Sequence, residues 1–229
     1  MVKKQRRVSK KEMKQDELLE TLYKGERFVR RHKKMISYIA IGVLAVVVIG
    51  FFMYNSRQNA ERRMAEELGA VQPLFDQGQY EQLIQDLEPT VEQYSGTESA
   101  GIGVFYLASA HFRLGQYEQA EKYYHRYLDK YDDDQILGAS SLAALGDIAI
   151  QYNSPQDATD YYRRAARRAP YTFLVQKYSL EAARSAIQAG ETQRARTLLT
   201  GLLENEDIQS EYKSEAEELL ASLQVQHAG

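Results

Sequence analysis

Residues 142–170 read LAALGDIAIQYNSPQDATDYYRRAARRAP. Apolar residues recur every three to four positions on both sides of the short polar turn, the period of an amphipathic helix. Asn153 closes the first segment in the manner of a left-handed C-terminal cap, a conformation that Gly and Asn tolerate. Ser154 stands at an N-cap position, and Pro155 falls at the first position of the next helix, where its missing N–H does no harm. The stretch therefore predicts a helix, a tight turn and a second helix. Gly146 on the first helix leaves room for Ala158 on the second, and Tyr162 fills the gap toward the neighbouring unit.

The pattern repeats outward. Gly78, Gly115, Asn153 and Gly190 are separated by 37, 38 and 37 residues. A further helical segment follows each one: QYEQLIQDL, QYEQAEKYYHRYL, SPQDATDYYRRAA and ETQRARTLLTGLL. This spacing is that of helical solenoids. The expected fold class is all-α, a solenoid of about four helix–turn–helix units at 64–100, 101–138, 139–175 and 176–209. The acidic amphipathic segment 210–229 then caps the last unit.

The third unit, Leu142-x-x-Leu145-Gly146-x-x-Ala149, then Ala158-x-x-x-Tyr162 and Pro170, resembles the tetratricopeptide repeat (TPR) family. The second has Val104-x-x-Leu107-Ala108-x-x-His111 and Ala120-x-x-x-Tyr124, with Asp132 in place of the proline. The fourth is weaker (Ala182-Ala183, Ala186, Ala195-x-x-x-Leu199, Asp207). The first is weakest (Ala70-Val71, Leu74, Leu83-x-x-x-Leu87), with Pro73 and Pro89 expected to break its helices. Close packing explains the pattern. Small residues Ala108, Gly146 and Ala183 face Ala120, Ala158 and Ala195, while Tyr124, Tyr162 and Leu199 fill the seams.

Ahead of the repeats, residues 35–54 (MISYIAIGVLAVVVIGFFMY) carry no charge. As a helix they extend about 30 Å, the hydrocarbon thickness of a bilayer. Residues 1–34 carry a net charge of +8 and residues 55–229 a net charge of −11. Basic flanks stay on the cytoplasmic side, so the expected topology is a single-pass anchor with a cytoplasmic N-terminus and the repeats across the membrane. The run is too long for a signal-peptide core and lacks a small-residue cleavage site, so an uncleaved signal anchor is expected. Residues 1–34 form a basic cytoplasmic segment. Residues 1–11 are expected to attract anionic headgroups. In 16–32 a short helix is expected, with Leu18, Leu19, Leu22, Tyr23, Phe28 and Val29 on its apolar side. Residues 55–63 connect the span to the repeats, and the membrane helix is expected to continue into the first repeat helix with a kink near Pro73.

Catalytic and metal motifs are missing from the sequence. His32, His111, His125 and His227 have no ligand partner at helical spacing, and there is no Cys. Gly101-Ile102-Gly103 lacks the third glycine and the strand of a dinucleotide loop. Asp132-Asp133-Asp134 lacks the alternation of a calcium loop and reads as a solvated turn between repeats. Most of the 17 tyrosines read as core and seam. The expectation is a non-enzymatic protein with no cofactor, no metal, no nucleic acid and no small-molecule substrate.

The TPR resemblance implies a concave groove lined by the first helix of each unit. Its expected lining is Phe105, Ser109, Phe112 and Arg113 in the second unit, Ala143, Asp147, Ile150 and Gln151 in the third, and Leu180, Arg184, Ile187 and Gln188 in the fourth. Apolar patches with interspersed charges suit a partly extended or helical peptide. The layout of basic tail, single span and acidic TPR domain resembles the YfgM-type ancillary subunit family of the bacterial Sec translocon. That resemblance implies a bacterial inner-membrane location, a periplasmic TPR domain, and partners among translocon subunits, periplasmic chaperones or client chains. Two other readings fit the same layout. One is an envelope-organising adaptor for outer-membrane assembly or for wall and division coordination. The other is a membrane regulator that binds a soluble cytoplasmic factor through residues 1–32.

Overall fold

The structure, a computed structural model, describes residues 10–225, with side chains from 30 to 224 except at position 36. The start of the basic tail, the apolar side chains expected on the 16–29 helix, and His227 lie outside the described residues. The chain divides into two units, Met1–Ser56 and Arg57–Gly229.

In the first unit, helix α1 (Lys10–Asp76) holds non-helical dihedrals at one interior residue, His32 (φ −112°, ψ 18°), immediately before the apolar run. The described apolar residues of its 35–54 stretch point outward on every side, Val46 being 71% exposed and Phe52 67%. A helix apolar all round must find an apolar surrounding. Among the described residues it is the one helix long and apolar enough to cross a membrane.

The second unit comprises the end of α1 and eight further helices: α2 (Tyr80–Gln93), α3 (Glu98–Arg113), α4 (Tyr117–Lys130), α5 (Gln135–Gln151), α6 (Pro155–Arg168), α7 (Thr172–Gln188), α8 (Thr192–Leu203) and α9 (Ser210–Val225). From α2 onward, consecutive helices from α2·α3 to α8·α9 pack on one another, and α7 also meets α9. Such a stack is held together by neighbour contacts alone.

The four tight turns share one geometry. Gly78, Gly115, Asn153 and Gly190 have φ of 73°, 71°, 56° and 74°. After each, the next residue's N–H reaches back to a carbonyl five residues earlier: Gln79 to Leu74, Gln116 to His111, Ser154 to Ala149 and Glu191 to Ala186, all at 2.8–2.9 Å. This closes the helix C-terminus and satisfies carbonyls that would otherwise be orphaned.

The packing residues read from the sequence, namely Leu107, Ala108, Ala120, Tyr124, Leu145, Gly146, Ala158, Tyr162, Ala183, Ala195 and Leu199, are all buried. A Cβ added at Gly146 would lie 2.9 Å from two carbons of the Tyr162 ring, so the α5–α6 approach depends on its having none. Gly101 and Gly103, the incomplete glycine motif, are buried inside α3.

A second set of links runs between successive units. The Tyr123 hydroxyl donates to Glu88 Oε1 (2.5 Å), and Arg126 pairs with Glu92. The Tyr131 hydroxyl donates to the Ser95 carbonyl (2.6 Å). Arg168 donates to the Asp132 carbonyl (2.8 Å) and pairs with its carboxylate (2.8 Å), and Arg194 pairs with Asp160. Each link joins residues 34–36 apart, one repeat period. At the first unit, the backbone N–H groups of Glu98 and Ser99 donate to the Glu61 carboxylate (2.9 and 3.0 Å), which caps the N-terminus of α3. At the last unit, fully buried Gln176 donates to the Asp207 carbonyl (3.0 Å) and accepts from Gln209 N–H (3.2 Å).

Four expectations are corrected. Pro73 and Pro89 lie inside α1 and α2 without ending them, and there is no break near Pro73. Both prolines are exposed while Val71, Leu87 and Val91 beside them are buried, so tertiary packing outweighs the lost backbone bonds. The helices of later units begin at Glu98, Gln135 and Thr172, three to four residues before the expected unit starts. An apolar pattern does not register the capping residues, here Thr97 and Asp134. Ser154 occupies the N-cap position of α6, but its side chain makes no capping bond. The triple-aspartate turn is more than solvated: Asp134 accepts from the Ile136 and Leu137 N–H groups (2.7 and 3.0 Å), and Asp132 holds Arg168.

Gly146→Leu is expected to destabilise the protein by about 1–3 kcal/mol, because the Tyr162 ring must move. Thermal melting of the full chain in detergent measures it, and an unchanged transition would show that the close approach is dispensable. Asn153→Gly is expected to be neutral or stabilising by up to about 1 kcal/mol, and Asn153→Val to cost about 1–2 kcal/mol, since a β-branched residue resists positive φ. The same melts decide between these and a turn indifferent to φ.

Candidate functional site: a depression across three repeat helices

Helices α3, α5 and α7 are the first members of successive pairs, so residues at equivalent positions on them line one side of the stack. The C-terminal portions of the three meet at a depression of about 380 Å³. It is lined by Phe112 from α3, by Asp147, Ile150 and Gln151 from α5, by Tyr162 from α6, and by Glu181, Arg184, Ser185 and Gln188 from α7.

Six of the twelve residues put forward from the sequence meet there: Phe112, Asp147, Ile150, Gln151, Arg184 and Gln188. Phe105 does not. It is half-buried and packs edge-on against Tyr124 and Tyr127, with ring centroids 5.9 and 6.0 Å apart. Ser109 shares a hydrogen bond with the Tyr124 hydroxyl (3.2 Å), and Arg113 is exposed outside the lining. Leu180, only 2% exposed, belongs to the core that α7 forms with α8 and α9 and is no groove residue. Ala143 is buried in the α5–α6 core, and Ile187 packs against the last core. The geometry implied by the resemblance pointed to this face, but not to which of its residues the neighbouring helix covers.

Tyr162, Glu181 and Ser185 line the depression and were not among the groove residues. Tyr162 was read as packing only. Its hydroxyl passes through the seam and donates to Asp147 Oδ1. In the preceding unit Ser109 and Tyr124 make the equivalent contact at the same separation of 15 residues. That recurrence is the signal that could have marked Tyr162. Glu181 is legible only as the helical neighbour of Arg184.

The charges here are unequally matched. Arg184 donates to Glu181 (2.9 Å) and also pairs with Glu215 of α9. Its charge is thus committed to tying the last helix to the stack, although no α9 residue lines the depression. Asp147 has no ion pair among the described residues. Although the residue is exposed, partial desolvation by its neighbours raises its pKa from the ordinary value, and Glu181 pushes in the same direction. The Tyr162 hydroxyl and, more weakly, Lys177 act against this. Tyr162 is raised as well, by burial first and by the Asp147 charge second. Burial pushes Tyr124 up to about 12.

A second depression of about 410 Å³ includes Glu121, Tyr152, Asp157, Asp160, Tyr161 and Arg164 in its lining. Its charges are better matched, since Asp160 pairs with Arg163 and Arg194 and Arg164 lies over the Tyr161 ring. His111 is a packed residue, stacked on Tyr123 with its Nδ1 2.6 Å from Gln116 Oε1.

The tetratricopeptide repeat family model matches residues 68–135 and again 107–172, covering α2 to α6 and both helices of the unit read first. This part of the all-α stack is thus similar to tetratricopeptide repeats, modules that typically act as non-catalytic scaffolds for protein partners. A search of curated proteins found no match.

A carboxylate whose pKa is higher in the folded than in the unfolded state stabilises the fold only when protonated; that contribution is lost as pH rises through the folded value. At neutral pH ionised Asp147 therefore works against stability. Asp147→Asn, which keeps an acceptor for the Tyr162 hydroxyl, is expected to leave the melting temperature at pH 7 unchanged or higher. Its advantage over the parent should shrink as the pH falls into the carboxylate range. A clear loss of stability at pH 7 would show that the charge itself holds the seam together.

Proposed function

We propose that the chain is a membrane-anchored, non-enzymatic TPR scaffold that holds a segment of a partner protein in the α3–α5–α7 depression. In this reading residues 35–54 anchor the protein in a bacterial inner membrane with the N-terminus cytoplasmic and the repeats periplasmic. Its role is that of an accessory factor for protein translocation or chaperone handover. The observation that carries the reading is the convergence of Phe112, Ile150, Asp147 and Gln151 with residues of α7 in one concavity of peptide-binding size. The +8 and −11 charge split on the two sides of the apolar run supports the orientation. The layout it shares with YfgM-type translocon subunits supports the role.

In-cell photocrosslinking tests it. p-Benzoylphenylalanine at Phe112 is expected to give adducts with chaperones or emerging chains, and at Ile39 with subunits of the translocation channel. Adducts only to wall or outer-membrane proteins would replace this reading with that of an envelope adaptor. Gln151 is exposed at the depression, so Gln151→Trp is expected to block it and remove the Phe112 adducts without lowering the melting temperature. Arg184 is a poorer probe, because replacing it also frees Glu181 and Glu215.

A further inference from the structure

Comparison of equivalent positions in two repeats isolates one feature of the depression. In the α3–α4 unit, a neutral serine, Ser109, satisfies the Tyr124 hydroxyl (3.2 Å). In the α5–α6 unit the same place, 15 residues before the tyrosine, is taken by the carboxylate of Asp147. A tyrosine hydroxyl at this seam therefore does not require a charged partner. Asp147 is exposed, and partial desolvation by its neighbours only opposes its ionisation.

No ion pair joins it to a cation among the described residues, and Lys177 acts on it only weakly. Arg184 is engaged by Glu181 and Glu215. The Lys177 ammonium lies over the Tyr178 ring, 5.9 Å from its centroid. Among the described residues Asp147 Oδ2 has no hydrogen-bond partner, and Asp147 lines a depression together with Phe112, Ile150, Tyr162, the amides of Gln151 and Gln188, Ser185 and the Glu181–Arg184 pair. An accessible carboxylate with no ionic partner, set beside apolar side chains and amide groups, is half of an ion pair.

We propose that the depression selects peptide segments carrying a lysine or arginine beside an apolar residue, with the cation against Asp147 and the apolar side chain on Phe112 and Ile150. The inference rests on the groove reading above and adds the chemistry of the occupant. Gln151 and Gln188 accept from the remaining N–H groups of the cation. The Glu181–Arg184 pair at the rim disfavours an acidic neighbour on the Asp147 side. Charge stored in this way trades stability for recognition.

The test is selection of a phage-displayed random dodecapeptide library on the full chain in detergent micelles, with Gln151→Trp protein as counter-selection. The selected peptides are then measured by fluorescence anisotropy. The expected result is enrichment of Lys or Arg at a fixed offset from Leu, Ile or Phe, with affinity falling at least tenfold on Asp147→Asn. Asp147→Ser, which reproduces the Ser109 arrangement, should show the same loss with the fold retained. Peptides that depend on an unblocked Gln151 position but show no basic enrichment, and bind Asp147→Asn and Asp147→Ser as tightly as the parent, would overturn the cation site and leave the groove standing. If no selected peptide is sensitive to Gln151→Trp, the groove reading falls and this inference with it.

Discussion

No helix pair of this chain can bury its apolar face by itself, and the rest of the structure follows from that constraint. Each pair is folded back by a residue with φ near +55° to +75° and closed by a backbone bond across the turn. The two helices must then approach closely enough for small residues to interlock, as Gly146 does beneath the Tyr162 ring. What remains exposed is covered by the next pair, and after the last pair by α9, whose Ala216 and Leu223 are buried. The hydrophobic effect drives this covering, and the small residues set the distance at which it is completed.

The polar links between units add direction to a stack that apolar contacts alone would leave free to slide. Tyr123 to Glu88, Tyr131 to Ser95 and Arg168 to Asp132 all reach back one period. Exposed ion pairs such as Arg126–Glu92 add little to stability. Their value lies in register, since each fits only one alignment of neighbouring pairs.

The periodicity was legible because it is a local property. Glycine or asparagine at a turn, alanine at a crossing and tyrosine at a seam can each be read from one segment. The repeat resemblance, not this local reading, pointed to the side of α3, α5 and α7 that carries the depression. It failed where the answer depends on a neighbour's thickness: Leu180 is covered by α8 and α9, and Phe105 turns into the aromatic cluster with Tyr124 and Tyr127. Pro73 and Pro89 looked like helix breakers because propensity weighs only the local cost and not the burial on either side. The period-spaced polar links were not foreseen, since a partner some 35 residues away leaves no trace in a single helical segment.

The Arg184 contacts give the end of the stack a particular significance. The last helix is held by one apolar strip, by an arginine that also lines the depression, and by a bond from Arg196 to the Leu223 carbonyl (2.8 Å). When α9 lifts away, Arg184 loses one of its two carboxylates and the α7 wall loses its outer support. The α7 wall of the depression and the attachment of α9 thus share one side chain.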